Sequence, residues 1–203
     1  IDMVGCHYGV IEKCRFEGSF GFSQGSGVQM KGGSSDIVVR ESFFHNAGKQ
    51  VVKIGGHTGL KYFRPQYTPY EAKDITVAGN RIVGGEIPIS WIIADGGHVI
   101  FNTIVFPSKT VMAILQGKKV KRFIPCRRGV FSHNLIIFDK KMDEFVSVGS
   151  GTQADTFIFS YNAWYQIDGS SLPKLPSAEK KGVYQIDPEL DSYESASMRI
   201  QST

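Results

Sequence analysis

The chain has 203 residues, 41% hydrophobic and 21% charged, a balance that excludes an intrinsically disordered segment and fits one or two folded domains. Its net charge of +4 permits an acidic partner without calling for nucleic acid, and three Cys are too few for a disulfide framework. No apolar run reaches membrane-spanning length, and no C-x-x-C pair offers a zinc site.

The chain opens on Ile1-Asp2-Met3-Val4 as though already inside a repeat, which reads as part of a longer protein. A short phrase then returns six times: large apolar, two variable, small polar, one variable, large apolar. Its instances are Ile11-x-x-Cys14-x-Phe16, Val39-x-x-Ser42-x-Phe44, Val77-x-x-Asn80-x-Ile82, Val99-x-x-Asn102-x-Ile104, Phe131-x-x-Asn134-x-Ile136 and Phe159-x-x-Asn162-x-Trp164. Successive polar positions lie 28, 38, 22, 32 and 28 residues apart. Self-similarity of this kind marks a stacked architecture, with the shortest interval a bare coil and the longer ones carrying inserted loops.

Upstream of each phrase after the first lies a second apolar stretch: Val28-Gln29-Met30-Lys31, Val51-Val52-Lys53-Ile54, Ile87-Pro88-Ile89-Ser90-Trp91, Val111-Met112-Ala113-Ile114-Leu115 and Phe145-Val146-Ser147-Val148. These are short, rich in β-branched residues and closed by Gly, Ser or Asp, which is strand chemistry. Helical periodicity is absent, and Leu occurs only at 60, 115, 135, 172, 175 and 190, too rarely for a leucine-rich repeat. The expectation is an all-β, right-handed parallel β-helix of about six coils over residues 1–168, with 169–203 as an irregular cap and tail that is loosely ordered after Asp191. Asn at an inward turn then bonds to the Asn and backbone of neighbouring coils, with Ser42 and Cys14 as weaker substitutes. Cys14 is expected as a buried thiol, and Cys126 stands alone in a basic loop.

A core filled by stacked apolar residues leaves function to outward strand positions and insertions. Alternation places Val28, Met30, Val52, Ile54, Ile87 and Ile89 inside. Gln29, Lys31, Lys53, Ser90 and Asp2 then project from one exposed face. Two insertions are expected to rise on the same side and wall a groove. One, from His57 to Lys73, holds Lys61, Tyr62, Phe63, Arg64, Tyr67 and Tyr70; the other, from Lys118 to Arg128, holds Lys118, Lys119, Lys121, Arg122, Arg127 and Arg128. Aromatic rings stack on sugars and guanidinium groups bind carboxylates, so Tyr62, Tyr67, Tyr70, Lys121, Arg122, Arg127 and Arg128 are candidate contacts for an acidic polysaccharide. Proton abstraction next to a uronate carboxyl needs a base and a cationic neutraliser, which Lys31, Lys53, His57 and Arg64 supply. His98 and His133 sit beside the repeat and read as structural. Asp36, Glu41, Asp74, Glu86 and Asp95 are scattered over turns, so neither a hydrolase acid pair nor a calcium site has a cluster behind it, and no cofactor is expected.

On the stretch Val28-Gln29-Met30-Lys31-Gly32-Gly33 through Val52-Lys53-Ile54-Gly55-Gly56, the chain resembles the right-handed β-helix repeat proteins of bacterial carbohydrate metabolism, in the pectate-lyase-like superfamily. The arrangement is similar to the alginate lyase and chondroitinase B family. The resemblance implies Lys31 as a catalytic base, while Lys53-Ile54-Gly55-Gly56 stands where that family has Leu-Arg-His-Gly. It further implies a secreted or periplasmic protein that binds, and cleaves by β-elimination, an acidic polysaccharide. The alternative is a non-catalytic carbohydrate-binding or structural module of a larger secreted protein.

Overall fold

The computed structural model describes residues 1–18, 25–117, 121–190, 192 and 193. Among them the strands form three long parallel sheets and one short one, with two 3₁₀ turns, Leu60–Tyr62 and Ala154–Thr156, as the helical content. The first sheet stacks Asp2–Val4, Val28–Lys31, Gln50–Gly55, Ile87–Ile92, Thr110–Leu115 and Glu144–Val148. The second stacks Val10–Glu12, Val38–Arg40, Thr76–Ala78, His98–Ile100, Val130–Ser132 and Ile158–Ser160. The third stacks Arg15–Glu17, Phe43–His45, Arg81–Val83, Thr103–Val105, Leu135–Phe138, Ala163–Gln166 and finally Val183–Tyr184. A short sheet of Ser34–Ser35, Ala72–Lys73 and Ala94–Asp95 fills a corner between the first and second. The chain visits first, second and third sheet in turn and then starts the next pass, an arrangement compatible with a parallel β-helix.

The repeated phrase is the part of this path that never changes. Its first apolar residue lies on the second sheet, where Ile11, Val39, Val77, Val99, Phe131 and Phe159 are register partners pass upon pass. Its last lies on the third, where Phe16, Phe44, Ile82, Ile104, Ile136 and Trp164 do the same. Both columns point inward and, from the second pass on, are buried. The upstream stretches supply the third wall of the core with Val28, Met30, Val52, Ile54, Ile89, Trp91, Met112 and Ile114. Ile87, expected inside, is only half-buried.

Between second and third sheets the small polar residue turns its side chain into the interior. Asn102 Oδ1 accepts from the Asn80 amide at 2.9 Å and from Asn80 Nδ2 at 3.1 Å, while Asn102 Nδ2 donates to Val77 O and to Asn134 Oδ1. The same set recurs from Asn134 to Asn162. At one end Asn80 Oδ1 accepts from the Ser42 amide, and Ser42 Oγ from the Cys14 amide, so the column weakens to single bonds as the side chains shorten. At the other end Glu179, which the sequence did not single out, closes it. Its Oε1 accepts from Asn162 N and Nδ2, and its Oε2 from Trp164 Nε1 and Tyr184 Oη.

The residue before each polar position adopts positive φ: Lys13, Glu41, Gly79, Phe101, His133 and Tyr161. For a side chain larger than Gly this costs about 1–2 kcal/mol, offset here by the interior bonds the turn permits. Pointing outward, these residues form a column of their own: His133 lies 4.9 Å from Phe101 and 4.7 Å from Tyr161, and Lys181 stands 5.2 Å over Tyr161.

Cys14 is half-buried beside the core, its thiol donating to Glu12 O, whereas Cys126 is buried and its thiol is pushed up to about 12 by desolvation. The cap follows the third sheet. After Val183–Tyr184 extends it, Leu190 and Tyr193 fold back over its outer face onto Val83, Val105 and Ile137, and Asp187 accepts hydrogen bonds from Tyr165 and Tyr193. Apart from Ser192 and Tyr193, the tail after Leu190 lies outside the described residues.

Replacing Asn102 by Ala strands the Asn80 amide in the interior and leaves the Val77 carbonyl with its sheet bond alone. At about 1–3 kcal/mol for an unsatisfied group, the expected loss is about 2 kcal/mol by urea denaturation. Asn102→Asp keeps the acceptor but loses the donor and sets a carboxylate against Asn134 Oδ1, so it is expected to rescue nothing.

Candidate functional site

Both insertions leave the turn that follows the first sheet. The first begins beside the lysine-bearing face: a Cβ on Gly56 would lie 2.3 Å from Gln29 Nε2 and 3.3 Å from Lys31 Cδ. It then folds back over the earlier passes, where Arg64 N donates to Gly32 O and His7 Nε2 to Arg64 O. It closes on Glu71, a carboxylate 1% exposed that accepts from Gly32 N, Thr58 N and Thr58 Oγ1 at 2.7–2.8 Å. The second insertion docks on the first. Ile124 N donates to Pro69 O, Arg122 Nη1 donates to Gln66 O, and the Arg122 guanidinium lies 4.3 Å from the Phe63 ring centre and 4.9 Å from that of Phe123. The two loops form one wall on one side of the molecule.

On the outer face of the first sheet, Asp2, Gln29, Lys53, Ser90 and Ala113 are register partners on successive passes, and Lys31 lies one step along in the row of Val4 and Gly55. Lys31 is held by Asp2 at 2.9 Å with only 18% of its side chain exposed. Lys53 makes no ion pair or hydrogen bond among the described residues. Burial, followed by repulsion from Lys31, lowers its pKa, and Asp2 only partly restores it. The polar run ends at Lys53. Ser90, expected to be exposed, is fully buried together with Pro88 and Ile92 on its own strand and Ala113 on the next, an apolar surrounding; among the described residues its Oγ has no hydrogen-bond partner.

The remaining candidates separate into groups. His57 packs on Gly117, where a Cβ would fall 2.2 Å from its ring. Arg64 turns Nη1 back to the Lys61 and Phe63 carbonyls. Tyr62 and Tyr67 are exposed, Lys121 is exposed, and Tyr70 is half-buried with its hydroxyl pKa raised by desolvation. Arg127 and Arg128 lie at a different turn, where both bind Asp95 Oδ1, at 3.0 and 2.7 Å. Burial of Asp95 works against its charge, but those bonds prevail and hold its carboxyl below the usual range. His98 is an exposed strand residue and His133 belongs to the outer aromatic column. Lys118 and Lys119 lie outside the described residues.

No group of three or more His, Cys, Asp or Glu among the described residues is arranged to hold a metal ion, and no helix among them is long and apolar enough to cross a membrane. Comparison with protein-family models, curated proteins and solved structures finds no match for this chain.

The lowered Lys53 pKa has a consequence for stability. On alkalinisation the folded chain releases this proton before the unfolded chain, whose value is near 10.5. The cost of the buried charge is therefore complete below the folded pKa and lifts as pH rises through it. Lys53→Met is expected to stabilise the fold at pH 7, with the gain shrinking toward pH 10.5. Parallel denaturation curves of both proteins at the two pH values check it.

Proposed function

We propose that the chain is a right-handed parallel β-helix of about six coils over residues 1–168, with 169–203 as cap and tail. We further propose that its lysine-bearing face binds and cleaves an acidic polysaccharide by β-elimination. The observation that carries this reading is Lys53: a half-buried ammonium with no partner among the described residues, beside Lys31, and flanked by an insertion that exposes Tyr62 and Tyr67. In β-elimination a base removes the proton next to the uronate carboxyl. The electron pair left behind forms a carbon–carbon double bond as the glycosidic oxygen departs and takes up a proton from water, and a cation steadies the carboxylate meanwhile.

The lowered pKa gives Lys53 a larger neutral fraction than an ordinary lysine and fits it for the base. Lys31, ion-paired with Asp2, fits the cationic role. This moves the base to Lys53 from Lys31, where the resemblance to alginate lyases implies it. His57 and Arg64 stand along the insertion as further contacts to the chain, and Tyr62 and Tyr67 offer stacking faces. Such a ligand places the protein outside the cell or in the periplasm.

The test is incubation with alginate, pectate and chondroitin while following the ultraviolet absorbance of unsaturated products, with binding measured in parallel. Cleavage is expected to fall at least about 100-fold in Lys53→Ala, with binding weakened far less. Products formed equally by Lys53→Ala would overturn the base assignment. Binding without products, lost in Tyr67→Ala, would replace the lyase with a non-catalytic binding module, and absence of both would remove the polysaccharide.

A further inference from the structure

We infer that the cavity between the two insertions receives a primary ammonium group carried on a slim alkyl stem. The cavity measures about 260 Å³ and is lined by His57, Thr58, Gly59, Leu60, Glu71, Ile93 and Phe123. It uses neither Lys31 nor Lys53, and the inference stands apart from the polysaccharide reading.

Its floor is Glu71. The two backbone amides and the hydroxyl that reach this side chain are placed to donate, so it is there as an acceptor-only carboxylate. Among the described residues no Lys, Arg or His pairs with it. A buried ion without a countercharge is unfavourable unless hydrogen bonds compensate, and three donors compensate in part. A carboxylate offers about four acceptor sites, so one remains on a group that borders the cavity. What completes the site is a donor that also brings positive charge.

The walls narrow the choice. Leu60, Ile93 and Phe123 present apolar surface, which suits methylene groups, and an aromatic ring beside an ammonium adds a favourable electrostatic contact. The volume falls below the range of about 300–1,000 Å³ usual for drug-sized ligands, so the guest is small. His57, seated on Gly117 at the rim, makes no hydrogen bond to Glu71. Two sources fit this chemistry, a free alkylamine and the lysine side chain of a polypeptide.

The experiment titrates the full chain with n-butylammonium, with its uncharged counterpart 1-butanol and with Nα-acetyl-lysine amide, by calorimetry or ligand-observed NMR. Butylammonium is expected to bind at millimolar concentration, at least about tenfold more tightly than butanol, and Glu71→Gln is expected to remove that preference. Because Glu71→Gln also turns an amide toward the Gly32 and Thr58 donors and can loosen the loop, Leu60→Trp is the second variant. It fills the cavity, leaves the carboxylate in place and is expected to abolish binding with the melting temperature unchanged. Equal affinity for butanol and butylammonium, or binding retained in Leu60→Trp, overturns the inference. Tighter binding of the lysine amide than of butylammonium assigns the source to a polypeptide, and weaker binding to a free amine.

Discussion

A backbone amide that points into a dry interior must find an acceptor there, and in this chain an asparagine side chain from the next pass provides it. Each of Asn80, Asn102 and Asn134 donates its backbone amide to the following asparagine's Oδ1 and donates from Nδ2 to a carbonyl on the pass before. Such a bond tolerates little variation in turn length. From Val10–Glu12 to Ala163–Gln166, two residues always separate a second-sheet strand from the third-sheet strand that follows, whereas the span between first and second sheets ranges widely. The two insertions described above therefore leave the corner between first and second sheets, away from the asparagine column. The site's location follows from hydrogen-bond satisfaction in the core before any argument about ligands begins.

The same logic governs what the insertions can do. A loop that leaves the stacked passes must be tied down again, and Glu71 does this by bonding to Thr58 at the start of its own loop and to Gly32 on the preceding pass. Arg122 then clamps the second loop to the first by lying against Phe63 and Phe123. Arg127 and Arg128 are paired with Asp95, while Arg122 is held between two rings and gives a single hydrogen bond, from Nη1 to Gln66 O. On the lysine-bearing face and the second insertion, among the described residues, Lys53, Lys121 and the exposed part of Lys31 offer positive charge to an outside partner.

The sequence made the stacked passes legible because their signal is local. An apolar residue, a turn residue and an apolar residue recur at fixed offsets, and the side chains that face inward are those the pattern names. Partners between passes are a different matter. Gly32 and Glu71 are 39 residues apart, and Asn162 and Glu179 are 17 apart across an irregular segment, so nothing in the local pattern of either glutamate marks it. Ser90 misled for a related reason. Alternation correctly gives its side of the strand but says nothing of what neighbours that side, and Pro88, Ile92 and Ala113 make it apolar. Phe101, His133 and Tyr161 carry no sign of their left-handed backbone, because it is imposed by the asparagine after each of them rather than by their own preference.

The most direct measurement of in-register stacking is a pairwise cross-link. Thr76 and His98 are outward-facing register partners on adjacent strands of the second sheet, and neighbouring Cα atoms at about 4.8 Å lie within disulfide reach. With Cys6 and Cys14 changed to Ser, the pair Thr76→Cys with His98→Cys is predicted to oxidise readily and keep the native fold. The pair Thr76→Cys with Ile100→Cys, displaced two residues along the strand, is predicted to stay reduced. Efficient closure of the displaced pair with failure of the registered one would contradict the stacking on which the asparagine column and the insertion corner both depend.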